Sequence, residues 1–91
     1  MSDEIDIYDY RQAVMKSSLD HRSKLVLLAI AEHNDDDGGL EGVFYGRLSI
    51  ATELGVSVEH VQKWLQIAEK IGWIETEKAI SFTLKIPQAA P

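Results

Sequence analysis

Two glycines set the layout of the middle of this chain. Gly72 follows a run, residues 58–71, whose apolar positions recur at helical spacing, and Gly55 follows a shorter one, residues 47–54. A glycine just past a helical pattern takes the left-handed conformation that ends a helix, at no steric cost. Residues 48–74 therefore read as a short helix, a tight turn at Gly55 plugged by Val56, a longer helix capped by Ser57, a second stop at Gly72, and a strand. In the short helix Ile50, Ala51 and Leu54 mark the buried face. In the long one Val61, Leu65 and Ala68 form a stripe with Trp64 and Ile71 beside it. That leaves Val58, Glu59, Gln62, Lys63, Gln66 and Lys70 largely outside.

The flanks complete the order of elements. The spacing of Ile7, Tyr10 and Val14, and of Tyr8 and Met15, predicts an amphipathic helix over residues 5–18, with Asp6 or Asp9 in a first turn where acids complement the helix dipole. Asp20 is the N-cap of a second helix, His21 to about His33. Residues 25–31 are all apolar, which predicts a helix hydrophobic nearly all round and central to the core. The run Asn34-Asp35-Asp36-Asp37-Gly38-Gly39 stops it and makes a loop. Val43, Phe44 and Tyr45 form a short strand. Residues 73–77 and 80–86 form two more, the second with clean period-two alternation, joined by a hairpin with Lys78 and Ala79 at its tip. Pro87 ends the last strand. Residues 87–91 read as a frayed tail or the start of a linker, so the chain reads as an N-terminal domain excised from a longer protein.

Ninety-one residues suit one small domain with one modest core. The absence of cysteine removes disulfides, thiolate metal sites and cysteine nucleophiles together. The N-terminus is acidic where a secretory signal would be basic, and the longest apolar run is too short to span a membrane, so a cytoplasmic protein with no membrane contact is expected. The formal net charge is −6, from nine bases and fifteen acids. Eight of the acids lie in two segments: Asp3, Glu4, Asp6 and Asp9, and Asp35, Asp36, Asp37 and Glu41. The seven that remain face all nine bases, so one face can be mildly basic. That is a weak footprint for nucleic acid.

The pieces Lys24-Leu25-Val26-Leu27-Leu28-Ala29-Ile30-Ala31-Glu32-His33, the Asp/Gly loop, Leu48-Ser49-Ile50-Ala51-Thr52-Glu53-Leu54-Gly55-Val56-Ser57, Val61-Gln62-Lys63 and Ile71-Gly72-Trp73-Ile74 occur in an order and spacing that resembles the winged helix-turn-helix domain of phage and plasmid replication proteins and related bacterial regulators. The resemblance covers roughly residues 19–86. It implies a mainly α fold with a small β-sheet (α+β), a winged helix-turn-helix with an extra N-terminal helix over residues 1–18 and a tail at 87–91. It also implies double-stranded DNA as partner, read by the helix that Ser57 caps. At positions 58 and 59 the family usually carries Arg, Lys, Ser or Thr. This chain has Val58 and Glu59. A glutamate there can accept from a cytosine amino group, or simply repel phosphate.

Within that expectation the residues take distinct roles. Gln62 and Gln66, four apart, are candidate base readers, since glutamine pairs bidentately with adenine. Lys63 and Lys70 are candidate phosphate contacts. Arg47 and Ser49 open the first helix of the motif, next to Tyr45, where free N–H groups favour phosphate. Lys78 and Lys85 are candidates in the wing, weakened by Glu75 and Glu77. For each, an ordinary solvated or capping role is the competing explanation. The expected function is sequence-specific DNA binding, as a replication-initiator domain or a small transcriptional regulator. The competing class is an acidic winged-helix protein-interaction module, favoured by the −6 charge and by Val58 and Glu59. Tyr8, Tyr10, Val14 and Met15 offer a surface for a homodimer through the N-terminal helix, or else pack on their own domain.

Other chemistry finds little support. Fitting Asp35 and Asp37 to an EF-hand loop puts His33 first and Phe44 twelfth, so the calcium template fails. His21, His33 and His60 lack metal spacing. No nucleophile motif, P-loop or dinucleotide glycine pattern occurs, so neither an enzyme nor a cofactor is expected. Trp64 and Trp73 are expected in or near the core, where the long helix meets the following strand.

Overall fold

Asp20 and Ser57 each begin a helix by the same device. In the computed structural model, which describes residues 7–33, 43–44, 46–78 and 81–87, the Asp20 carboxylate accepts the Arg22 N–H at 3.0 Å, and Ser57 Oγ accepts the His60 N–H at 3.2 Å. Each supplies an acceptor to one of the amides that a helix start leaves unpaired. The order is α1 (Ile7–Lys16), α2 (His21–Glu32), β1 (Val43–Phe44), α3 (Arg47–Leu54), α4 (Val58–Ile71), β2 (Ile74–Lys78) and β3 (Ser81–Leu84). Gly55 and Gly72 end α3 and α4 in the left-handed region, with φ of 71° and 113°. The fold class is α+β, mainly helical with a small antiparallel sheet.

The three strands lie in the order β1-β3-β2. Val43 pairs with Phe82, Ile74 with Leu84 and Glu75 with Thr83, and a bulge falls between Thr76 and Lys78. Alternation sends Phe82, Leu84 and Ile74 into the core, while Thr83 is only half-buried and Glu75 is exposed. β2 runs one residue further than the alternation predicts. Lys78 is opposite Ser81 within the ladder, so it is a strand residue and not the hairpin tip.

α2 touches α1, α3, α4 and β1. Val26, Leu27 and Ile30 share one buried cluster with Ile50 of α3, Val61 and Leu65 of α4, and the three inward strand residues. α2 is not buried all round, however: Leu25 is 54% exposed and Leu28 is half-buried. Seven successive helical residues sweep through every direction, so a helix packed on part of its circumference must leave at least one of them outside.

α1 is part of this core. Tyr10 and Val14 are fully buried, and Ile7 and Ala13 pack against the same cluster. The Tyr10 hydroxyl donates to the Trp73 carbonyl at 2.8 Å, and its ring meets the Trp73 ring edge-on, with centroids 6.1 Å apart. Burial pushes the phenol pKa far above its ordinary value, so the donor keeps its proton. Tyr10 and Val14 are therefore unavailable as a dimer surface, and only Tyr8 and Met15 of the four expected residues stay outside. The acidic loop at residues 34–42, Asp3, Glu4, Asp6, Tyr45 and the tail at 88–91 lie outside the described residues. Among those described, no helix is long and apolar enough to cross a membrane.

Candidate nucleic-acid interface

α4 is held by one face and offers another. Val61, Leu65 and Ala68 are buried against the core. On the far side Glu59, Lys63, Gln66 and Lys70 follow one another at intervals of four, three and four, and all are exposed. Residues so spaced form a single stripe. Glu59 lies in the first turn and Lys70 in the last, where each charge opposes the nearer helix pole. Glu59 thus has a local reason to be at the helix start, whatever it meets outside.

Two tethers fix the direction of this stripe. At one end α3 packs on α4. The turn between them is closed by the Val56 N–H donating to the Ala51 carbonyl at 3.0 Å. At the other, the Thr76 N–H donates to Glu69 Oε2 at 3.3 Å, tying α4 to β2.

Ser57 spends its hydroxyl on the helix. Besides accepting the His60 N–H, Oγ is 3.1 Å from His60 Nδ1. Its role is that of a cap. Ser57→Ala should cost about 0.5–2 kcal/mol of stability, whereas Ser57→Asp should stay near the parent. Urea unfolding of the two variants checks this, and an Ala variant as stable as the parent would exclude the capping role.

The remaining candidates divide. Gln66 is exposed in the middle of the stripe, but Gln62 is half-buried at its edge. Val58 is 40% exposed. Ser49 is exposed on the first turn of α3, a helix whose start no side chain caps. Arg47 is half-buried and turned inward: its guanidinium carbon is 5.4 Å from the centroid of the Phe82 ring, a cation–π arrangement across to β3. Arg47 therefore serves the joint between α3 and the sheet. Lys85 is engaged by Glu75, with Nζ 3.1 Å from Oε1. The Lys78 side chain lies outside the described residues. Across α3 and α4, Arg47, Lys63 and Lys70 face Glu53, Glu59 and Glu69, so these two helices carry no basic excess.

The flank of α4 that carries His60, Trp64, Ile67 and Ile71 was not singled out from the sequence as one strip. His60 stacks on Trp64, with centroids 5.5 Å apart and rings 10° from parallel. Ile67 and Ile71 are 41% and 52% exposed. Their common spacing from His60, at intervals of four, three and four, is the signal that could have revealed them as one strip along α4. Ile71, expected beside the buried stripe, instead faces a groove shared with Leu19, Trp73 and Pro87. Among the described residues no group of three or more His, Asp or Glu lies close enough to hold a metal ion. Compared with protein-family models, curated proteins and solved structures, the chain matches none of them.

Proposed function

We propose that this chain is a winged helix-turn-helix protein that binds double-stranded DNA sequence-specifically, with α4 in the major groove. It acts as the DNA-binding domain of a phage- or plasmid-type replication initiator or as a small transcriptional regulator. Support comes from α3, the Gly55 turn and α4 in succession, followed by the β2–β3 hairpin, the order such domains need. The observation that carries the reading is the outer stripe of α4, in which Gln66 is flanked by Lys63 and Lys70, opposite a face anchored in the core. Gln66 would read adenine, the two lysines would hold phosphates, and Glu59 would accept from a cytosine amino group.

Selection from a pool of random duplexes at low salt tests this. Enrichment of a defined site is expected, and Gln66→Ala should relax preference at one position of that site, while Lys63→Ala should weaken binding to all sites alike. Failure to enrich any sequence sinks the reading. One set of observations favours a protein-interaction module instead: Val58, Ile67 and Ile71 are exposed on α4, and the helix pair has no net charge. An empty selection would leave that reading standing.

A further inference from the structure

His60 stands in the first turn of α4 with its ring held from two sides. Ser57 Oγ, which accepts the His60 N–H, is 3.1 Å from the ring nitrogen Nδ1. The ring also stacks on Trp64, which itself packs against the core. The two holds fix the side-chain torsions of a residue that is nevertheless exposed. An exposed imidazole held in one pose has given up the rotamer freedom that surface side chains keep. Among the described residues no other hydrogen bond or ion pair engages the ring, which leaves Nε2 available to a ligand.

That nitrogen is a donor. A serine hydroxyl has one proton and two acceptor positions. Oγ accepts the His60 N–H, so its own proton is free to go to Nδ1, and the bond at one ring nitrogen sets the state of the other. The neutral ring then carries its proton on Nε2. The protonated ring carries one there as well, so the outer N–H is present in either charge state.

Helix geometry says where its acceptor lies. Successive helical residues are about 100° apart, which places His60 about 90° round α4 from the midline of Glu59, Lys63, Gln66 and Lys70. Glu69, whose carboxylate accepts the Thr76 N–H of β2, lies about as far round on the opposite side. A helix with its side chains is about 10–12 Å across, and the major groove is about 12 Å wide. A helix whose outer stripe meets the base edges therefore turns its flanks to the sugar–phosphate walls. One flank of α4 faces β2, and the other presents His60.

We propose that His60 is a phosphate contact: its Nε2–H donates to a backbone phosphate oxygen on the groove wall away from β2, with Ser57 and Trp64 holding the ring for it. The proposal rests on the DNA-binding reading above. Such a contact fixes the register of the helix in the groove and carries no base preference of its own.

His60→Phe keeps an aromatic ring on Trp64 and removes both ring nitrogens. On the duplex enriched by selection its affinity should fall about tenfold, with a nearly unchanged melting curve and the same preferred bases. A series of duplexes, each with one phosphate replaced by an uncharged methylphosphonate, locates the partner. At one position the parent should lose about tenfold and His60→Phe nothing further, because the bond is already gone. Three results would overturn the contact while leaving DNA binding by α4 intact: an affinity unchanged by His60→Phe, equal losses for the two proteins at every replaced phosphate, or a changed base preference. A parent that binds no duplex removes both the contact and the reading beneath it.

Discussion

Tyr10→Ala should cost the fold about 3–5 kcal/mol, the range for removing a fully buried aromatic side chain. The ring is completely buried, packs edge-on against Trp73 and is part of the main core cluster. The stability of a domain this size is about 5–15 kcal/mol, so the variant should be near the edge of folding at room temperature. Tyr10→Phe separates the ring from its hydroxyl. The Trp73 carbonyl also accepts the Lys85 N–H at 2.9 Å, so losing the phenol leaves that oxygen one partner. The Phe variant should accordingly lose only about 0.5–1.5 kcal/mol. Urea denaturation of the three proteins provides the comparison. If Tyr10→Ala lost less than about 1 kcal/mol, α1 would be an appendage and its burial in the core would be wrong.

The second large effect follows from the proposed DNA binding, whose affinity should fall as salt rises. Each phosphate neutralised by a lysine or arginine contributes about −0.9 to the slope of log affinity against log salt. Lys63 and Lys70 are exposed on the α4 stripe. Two contacts predict about a tenfold loss of affinity between 50 and 200 mM salt, and a third, from Lys78, about a fortyfold loss. Lys63→Ala combined with Lys70→Ala should flatten the slope by about two. Fluorescence anisotropy with one duplex at several salt concentrations measures it. A slope near zero would mean that whatever contact occurs is not made to the phosphate backbone through these cations.

Much of this fold was legible because its signals are local. Asp20, Ser57, Gly55 and Gly72 act on their own few residues, and they bound α2, α3 and α4 as the sequence implies. The helical period likewise identified Val61, Leu65 and Ala68 as the anchor of α4; of the six residues it left outside, Val58, Glu59, Lys63, Gln66 and Lys70 are exposed and Gln62 is half-buried. What stayed hidden depends on distant partners. Nothing near Arg47 in sequence announces Phe82, thirty-five positions on, as the surface that draws its guanidinium inward. Tyr10 and Tyr8 look alike in sequence, yet one is buried and the other is 65% exposed, because only Tyr10 meets Trp73. Leu25 sits within an unbroken apolar run, and only the packing of α1 and α3 around α2 decides that its side stays open.

The bond between Tyr10 and Trp73 spans sixty-three residues, and the pairing of β1 with β3 joins Val43 to Phe82. During synthesis the first ordered helix therefore leaves the ribosome well before its docking site exists. Translation adds about 5–20 residues per second, so α1 and the apolar face of α2 wait for several seconds with nothing to cover them. The helices can form early, each from its own caps, but the core closes only when the last strand has emerged. Chaperone binding to nascent chains of this protein should thus persist until residues beyond Leu84 are clear of the exit tunnel.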